Sequence, residues 1–436
     1  MAEFSLYFHI PFCRARCDYC GFYSRAAGGL DAAGRDRLLD AYTGALLGET
    51  ERRLALLAAE TAGTPGEGGL TFPTVYIGGG DPALLGAAGA ARLLGGIAAL
   101  LGTPGNLSGG NPGSDPPGAR REITLEANPE SADEAFLRAC ADQGVNRLSL
   151  GAQSFNGTVR RLAGRRGGTD PPTGRIAAAA EIFGPGLSLD LMSGLPGQSL
   201  DILLRDIATA LSYGPGHISL YALTVEEGTP LAARASRRRG LLPDQDEADR
   251  LWIAGRDALV QAGYEQYEVS NFARREADGG TENRRKHNIR YWRVQNWLGL
   301  GPAASGTILE KTGTGRRVSY LPDAAAFLAD PAGCAVTEEL DRPTALKETL
   351  LMGFRYIEGP DPALFKERFG KTLEETIPRT LAKWGLPRGE PPGPGRAGEG
   401  TAGGITALDP EGLLFLNPFL LDAFAELDGA ADRRIV

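Results

Sequence analysis

Histidine and methionine each occur only three times in 436 residues. Chemistry built on histidine clusters therefore has almost nothing to draw on. Cysteine is also sparse, at five, and an odd number gives no basis for a disulfide framework in a chain of this length. Positive charge is in deficit, with 46 Lys and Arg against 54 Asp and Glu and a net charge of −8. General attraction to nucleic acid or anionic lipid is missing, so partners of those kinds are not expected. No apolar run approaches the roughly 20 residues a membrane span needs. The start, MAEFSLYFHIPFC, lacks the basic residues, apolar stretch and cleavage site of a secretory signal. The expectation is a cytoplasmic protein that does not span a membrane. What is plentiful is glycine, at 61, and proline, at 29. A hydrophobic content of 42% still allows a large core, in one domain with an appendage or in two domains.

Runs rich in β-branched, aromatic and Leu residues occur at 5–10, 74–78, 122–127, 147–153, 187–193 and 217–225, with helical patterns at 31–58, 84–100, 131–143, 174–183 and 199–212 between them. Such alternation predicts a parallel sheet with helices packed outside it. The fold class expected is α/β, a partial (β/α)6 TIM-like barrel with a smaller mixed α/β C-terminal domain. The expected divisions are 1–240 for the barrel, 241–335 for its extension and 336–436 for the C-terminal domain. Residues 244–262 and 342–357 read as helices, and 264–273 as one further strand. Gly/Pro-rich stretches at 61–70, 102–119, 163–174 and 387–404 can continue neither a helix nor a central strand. Three of them read as solvated insertions, and the third in order also carries Arg165.

Three of the five cysteines, Cys13, Cys17 and Cys20, crowd into eight residues just after the first strand. Three thiolates on one loop can bind three irons of a cubane [4Fe–4S] cluster, leaving the fourth iron open to a ligand. The rival is zinc with His9 as fourth ligand, although zinc sites use a second paired element that is absent here. Cys140 reads as a small buried helix residue, and Cys334 as a second bystander.

The segment FHIPFCRARCDYCGFYS resembles the N-terminal signature of the radical S-adenosylmethionine (SAM) superfamily. Within it the chain is similar to the oxygen-independent coproporphyrinogen III oxidase-like branch, and most similar there to HemW-type haem chaperones. The resemblance runs from Tyr7 to about Ser305. It implies a cluster on Cys13, Cys17 and Cys20 whose open iron binds SAM, and an electron donor such as flavodoxin or ferredoxin. In that superfamily a reduced cluster cleaves SAM to methionine and a 5′-deoxyadenosyl radical. Carried over by position, the SAM contacts are Tyr7, Tyr19, Gly79, Gly80, Asp81, Glu126, Gln153, Arg165 and Asp190. Tyr19 matches the aromatic residue beside the adenine, and reads equally as a packed loop aromatic. Asp81 stands where the family usually has Thr, and Gly167 where it commonly has His. Independently of the resemblance, Glu126, Gln153 and Asp190 sit at or near the C-terminal ends of strands, where barrel enzymes place their sites.

Two functions compete. One is coproporphyrinogen III dehydrogenase, an oxidative decarboxylase. The other is a haem chaperone that passes haem to recipient haemoproteins. Phe22 stands where the dehydrogenases carry a further Cys. Only six residues precede Tyr7, so their long N-terminal arm is not expected. Residues 287–292 read His-Asn-Ile-Arg-Tyr-Trp, matching the HNxxYW segment linked to haem in the chaperones. The resemblance therefore makes His287 a candidate axial haem ligand, with Tyr291 and Trp292 against the macrocycle. The alternative is a structural histidine. A non-catalytic iron–sulfur scaffold is a third reading, and the retained SAM set argues against it.

Overall fold

The computed structural model describes residues 2–61, 69–101, 121–165, 172–276, 280–386 and 406–432. Its main element is a twelve-stranded sheet. In chain order the strands are β1 (Ser5–Ile10), β2 (Thr74–Gly79), β3 (Glu122–Ala127), β4 (Arg147–Gln153), β5 (Leu187–Ser193), β6 (His217–Ala222), β7 (Tyr264–Gln266), β8 (Asn271–Arg274), β9 (Trp297–Leu300), β10 (Ser305–Leu309), β11 (Gly315–Tyr320) and β12 (Ala335–Leu340). Strands β1 to β6 lie side by side and parallel, the partial barrel that the alternating pattern predicts. Strand β9 adds parallel to β1, and antiparallel strands extend both edges. The crossover helices Ala32–Thr61, Gly86–Leu100, Glu134–Asp142, Thr173–Phe183 and Leu200–Ser212 fall within three residues of their expected bounds. Side chains fix two of the helix starts, with Asp133 accepting the Phe136 N–H and Ser199 the Ile202 N–H.

Period-two alternation along β1 to β6 divides the sheet into two faces. Leu6, Phe8, Val75, Ile77, Leu125, Leu148, Leu150, Leu189 and Leu220 are buried under the helices. The other face carries Tyr7, Tyr76, Glu126, Asp190 and Tyr221. Tyr7 pairs with Tyr76, Glu126 with Ser149, and Asp190 lies between Gly151 and Ser219. Parallel strands covered on both sides are usually apolar throughout. Here the inner face is polar, so the lumen is lined for a ligand.

Three expectations change. The strand expected over 264–273 is a tight hairpin, because the Glu268 carboxylate accepts the Ser270 N–H at 2.9 Å and turns the chain between β7 and β8. The stretch Pro82–Leu100 is long and apolar enough to cross a membrane. It is nevertheless a barrel helix, with Ala90, Leu93, Leu94 and Ile97 buried. Its glycines and alanines break up what would otherwise be an obvious apolar run. Beyond β12, the regular elements among the described residues are helices, including Arg342–Gly353, Pro362–Phe369 and Leu416–Asp432. Their core joins Phe354, Phe365 and Phe419 to Tyr267 and Val294 from the preceding segment.

Residues 280–292 fold back beneath the N-terminal ends of the strands, held by the residues that open them. Arg147, first in β4, donates to the carbonyls of Glu282, Asn283 (3.1 Å) and Arg284 (2.9 Å) and pairs with Glu122 at 3.0 Å. Glu122, first in β3, accepts the N–H groups of Lys286 (3.0 Å) and His287 (2.8 Å) at the start of the helix Lys286–Trp292. Thr74, first in β2, holds the His287 ring, and Ser5, first in β1, accepts from Arg290 at 2.7 Å. The segment is the floor of the barrel.

Candidate cofactor site at the barrel mouth

The cysteine loop is tied to the end of β2. Gly80 N–H donates to Ile10 O and Asp81 N–H to Phe12 O, both at 2.8 Å. A side chain at any of the three glycines would collide. A Cβ on Gly78 would stand 2.6 Å from Glu126 Oε2, one on Gly79 2.6 Å from the His9 ring, and one on Gly80 2.6 Å from Phe12 O. Gly79 also has φ +111°, which L side chains rarely adopt. Close backbone approach is thus a requirement of the site.

Cys13 is buried, Cys17 and Cys20 half-buried, and all are free thiols. Burial pushes the Cys13 thiol up to about 12 and raises that of Cys20, while the sulfurs feel one another's charge. Among the described residues, no three His, Cys, Asp or Glu side chains are arranged to hold a metal ion. A zinc ion needs its ligands about 2.0–2.3 Å from one point, whereas a cubane takes each thiolate on a separate iron. His9 is also committed elsewhere. Its Nδ1 meets the Tyr7 hydroxyl at 2.9 Å and its Nε2 the Tyr23 carbonyl oxygen at 3.1 Å. With no ring nitrogen left for zinc, the donor set fits a three-thiolate cluster loop.

Around the mouth, Glu126 accepts from the Tyr76 hydroxyl at 2.5 Å and the Gly79 N–H at 3.1 Å. Asp190 accepts from the Ser149 hydroxyl at 3.1 Å. Burial raises both carboxyls above their ordinary range. Gln153 ends β4 with φ +65°, a strained conformation for a residue other than glycine, and its buried Oε1 has no donor. Such strain persists only where the surroundings impose it, and it clusters at functional sites.

Arg165 and Asp81 sit at the same mouth but are occupied. Arg165 donates to Tyr19 Oη (3.1 Å), Asn128 Oδ1 (3.1 Å), Gly151 O (2.6 Å) and both oxygens of Glu130 (3.1 and 3.0 Å). Asp81 accepts from Asn128 N–H at 3.1 Å and the Ser131 hydroxyl at 2.5 Å. Both residues hold loops together. Glu130, which sequence reasoning passed over, pairs with Arg160 as well as Arg165. Burial works against its charge, and the two arginines still hold its carboxyl below the usual range. The only sequence signal for it was its place directly after LEANP. A small opening lies here, lined by Arg14, Cys17, Asp81, Glu130 and Arg165 among others. Gly167 falls outside the described residues.

His287 and Tyr291 are not at the mouth. The His287 ring is buried in the floor, tilted by 31° against the Tyr76 ring with centroids 4.9 Å apart. Its Nδ1 lies 2.8 Å from Thr74 Oγ1, whose hydroxyl donates on to Ser5, and its Nε2 lies 2.8 Å from Tyr291 Oη. Burial, aided by Arg290, drives its pKa down to about 3. In this arrangement neither nitrogen is free for iron. Trp292 packs instead into the C-terminal core, with the Arg355 guanidinium 5.8 Å over its ring. His287 and Tyr291 thus hold the floor, while Trp292 packs against the C-terminal core.

A polar-lined parallel barrel with a three-cysteine loop at the C-terminal ends of its strands defines a class, and the comparisons agree. The Radical SAM superfamily model matches residues 7–209. The solved structure of coproporphyrinogen III oxidase (HemN) from Escherichia coli, a radical SAM enzyme, aligns with a TM-score of 0.71. It covers 97% of this chain and 90% of that one at 20% identity, a likeness of fold. Heme chaperone HemW of Bacillus subtilis (strain 168) is 31% identical over 382 residues, 86% of this chain and 90% of that protein. Heme chaperone HemW of Mycobacterium tuberculosis (strain H37Rv) is 36% identical over 308 residues, 70% of each. The bovine Radical S-adenosyl methionine domain-containing protein 1, mitochondrial, is 34% identical over 305 residues, 70% of this chain and 61% of that protein. The chain thus spans about three fifths of that longer relative. It belongs to the radical SAM superfamily, in the branch of the HemW-type proteins.

Proposed function

We propose that this protein holds a [4Fe–4S] cluster on Cys13, Cys17 and Cys20, receives SAM in the barrel lumen, and binds haem for delivery to haemoproteins. The observation that carries the cofactor part is the convergence of the thiols, the Gly79–Gly80 backbone, Glu126, Gln153 and Asp190 at one end of the lumen. When bound, the cluster would supply the electron that cleaves the SAM sulfonium bond. The chain's own contribution is placement. Glu126 and Asp190 offer acceptors to an ammonium or to ribose hydroxyls, the unpaired Gln153 oxygen offers one more, and Tyr7 and Tyr76 wall the lumen. Arg165 and Asp81 act one step back, fixing the loops that carry these groups.

The haem part rests on the named relatives and on Phe22, which is 73% exposed beside the cluster loop. Phe22, Arg14 and Arg16 also give an electron donor, such as a flavodoxin or ferredoxin, an exposed approach. The five free cysteines suit a reducing, cytoplasmic setting. Because His287 is enclosed, haem held by it would require the floor helix to open, and the reading favours another haem contact. The test is an anaerobic haem titration followed by transfer to an apo-haemoprotein. Stoichiometric uptake and transfer support the reading, and absence of haem binding overturns it. The rival, coproporphyrinogen III dehydrogenase, shares the fold and is separated by its product.

A further inference from the structure

Among the described residues, buried arginines in the barrel are matched to carboxylates, with one exception. Arg147 pairs with Glu122, Arg165 with Glu130, and Arg284 with Glu265 and Glu358. Arg285 is 3% exposed, and neither Nη1 nor Nη2 has an acceptor. Its backbone N–H donates to Tyr267 Oη at 3.2 Å, which seats it in the floor under the lumen. Facing the lumen from β3 and β5 are two carboxylates with the opposite defect. Glu126 is bonded only by the neutral Tyr76 hydroxyl and Gly79 N–H, and Asp190 by the hydroxyls of Ser149 and Ser219. Among the described residues, no cation bonds to or pairs with either one. An enclosed guanidinium without an acceptor is costly unless charge of opposite sign lies close by. Both carboxylates feel the Arg285 charge through space. In their charged forms, the two carboxylates and one guanidinium would give the lumen one net negative charge, suited to a ligand carrying net positive charge.

We propose that Arg285 is a positioning residue, the through-space counter-charge that keeps Glu126 and Asp190 as carboxylates able to receive the cationic end of SAM. The inference rests on the SAM site proposed above. The other groups that face these residues are known. Tyr76, Tyr7, Tyr221 and Tyr291 neighbour Glu126, Arg165 and Tyr221 neighbour Asp190, and Arg147, Tyr267 and His217 neighbour Arg285. Burial raises the tyrosines and holds His217 well below its ordinary value, so neither kind of group changes charge from pH 5 to 8. Glu268, next to Tyr267 and facing Tyr221, is pushed by burial up to about 7 and also titrates in this range, so the low-pH loss of SAM binding is assigned to Glu126 and Asp190 by its persistence in Glu268→Gln.

The test is SAM affinity of the anaerobically reconstituted protein by equilibrium dialysis from pH 5.5 to 8.5. Arg285→Met is expected to weaken SAM about tenfold at pH 7. Its acid limb should move up by about one pH unit, because a carboxyl that loses its counter-charge protonates at higher pH. Arg285→Lys should restore most of both. A Met variant with wild-type affinity and an unmoved acid limb, or a Lys variant that behaves like Met, overturns the proposal. Should Arg285→Met fail to fold, Arg285→Lys and Arg285→Gln still differ in charge, and equal acid limbs in those two overturn it. Failure of the underlying site looks different. Wild-type protein that binds no SAM, or Glu126→Gln that binds it as wild type does, removes the site reading itself.

Discussion

His287→Ala separates a floor histidine from a haem ligand, and the structure sets the size of the effect. The substitution removes a buried ring and breaks its bonds to Thr74 and Tyr291. Deleting a buried ring and leaving a buried hydroxyl without a partner together cost about 3–5 kcal/mol. The cost should depend on pH in a defined direction. The folded pKa is depressed to about 3, against about 6.5 for the unfolded chain. Between those values the unfolded state binds the extra proton, so the stability contributed by the neutral ring is present above pH 6.5 and lost as pH falls toward 3. At pH 5 the wild-type protein should therefore have lost about 2 kcal/mol through His287 alone. The Ala variant has no such term, so the gap between them should shrink from about 4 kcal/mol at pH 7 to about 2 kcal/mol at pH 5. Urea unfolding at the two pH values measures it, with an anaerobic haem titration on the same samples. A gap that does not change with pH would refute the buried neutral ring. Loss of haem binding at unchanged stability would refute the floor assignment.

Other substitutions probe the mouth and the floor separately. Gly79→Ala combines an unfavourable φ of +111° with a Cβ 2.6 Å from the His9 ring, and should cost about 2–5 kcal/mol in thermal or urea unfolding. Glu126→Gln should lower SAM affinity about 10–100-fold, since a hydrogen bond to a charged group is worth about 1.5–3 kcal/mol. The visible absorbance of the reconstituted cluster should be unchanged in that variant. Arg147→Met strips three carbonyls of their donor and leaves Glu122 buried without its cation. It should destabilise by about 3–5 kcal/mol and speed hydrogen exchange in residues 282–292. Cys17→Ala should abolish that absorbance, and retained cluster iron would count against the loop assignment.

Much of the barrel was legible in the sequence because strand period and helix period are local properties. Tyr76, Glu126 and Asp190 could be placed on the inner face by counting alternate residues from Val75, Leu125 and Leu189. The cysteine loop was legible because its ligands lie within eight residues. The floor was not, since its bonds join residues 135 to 285 positions apart, as in Arg147 to Glu282 and Arg290 to Ser5. Nothing local distinguishes His287 under a barrel from His287 on a surface. Arg285 was hidden in the same way inside the run Arg284-Arg285-Lys286, where each residue reads as solvated charge. The hairpin at 264–273 was missed because its turn carries no glycine, proline or asparagine, and depends on the Glu268 side chain.

The central proposal is that this barrel serves haem handling and not porphyrinogen decarboxylation. Incubating the reconstituted protein anaerobically with coproporphyrinogen III, SAM and a low-potential reductant tests it most directly. The expected result is that coproporphyrinogen III is recovered unchanged, from protein that takes up haem stoichiometrically in a parallel sample. Protoporphyrinogen accumulating over many turnovers would contradict the account.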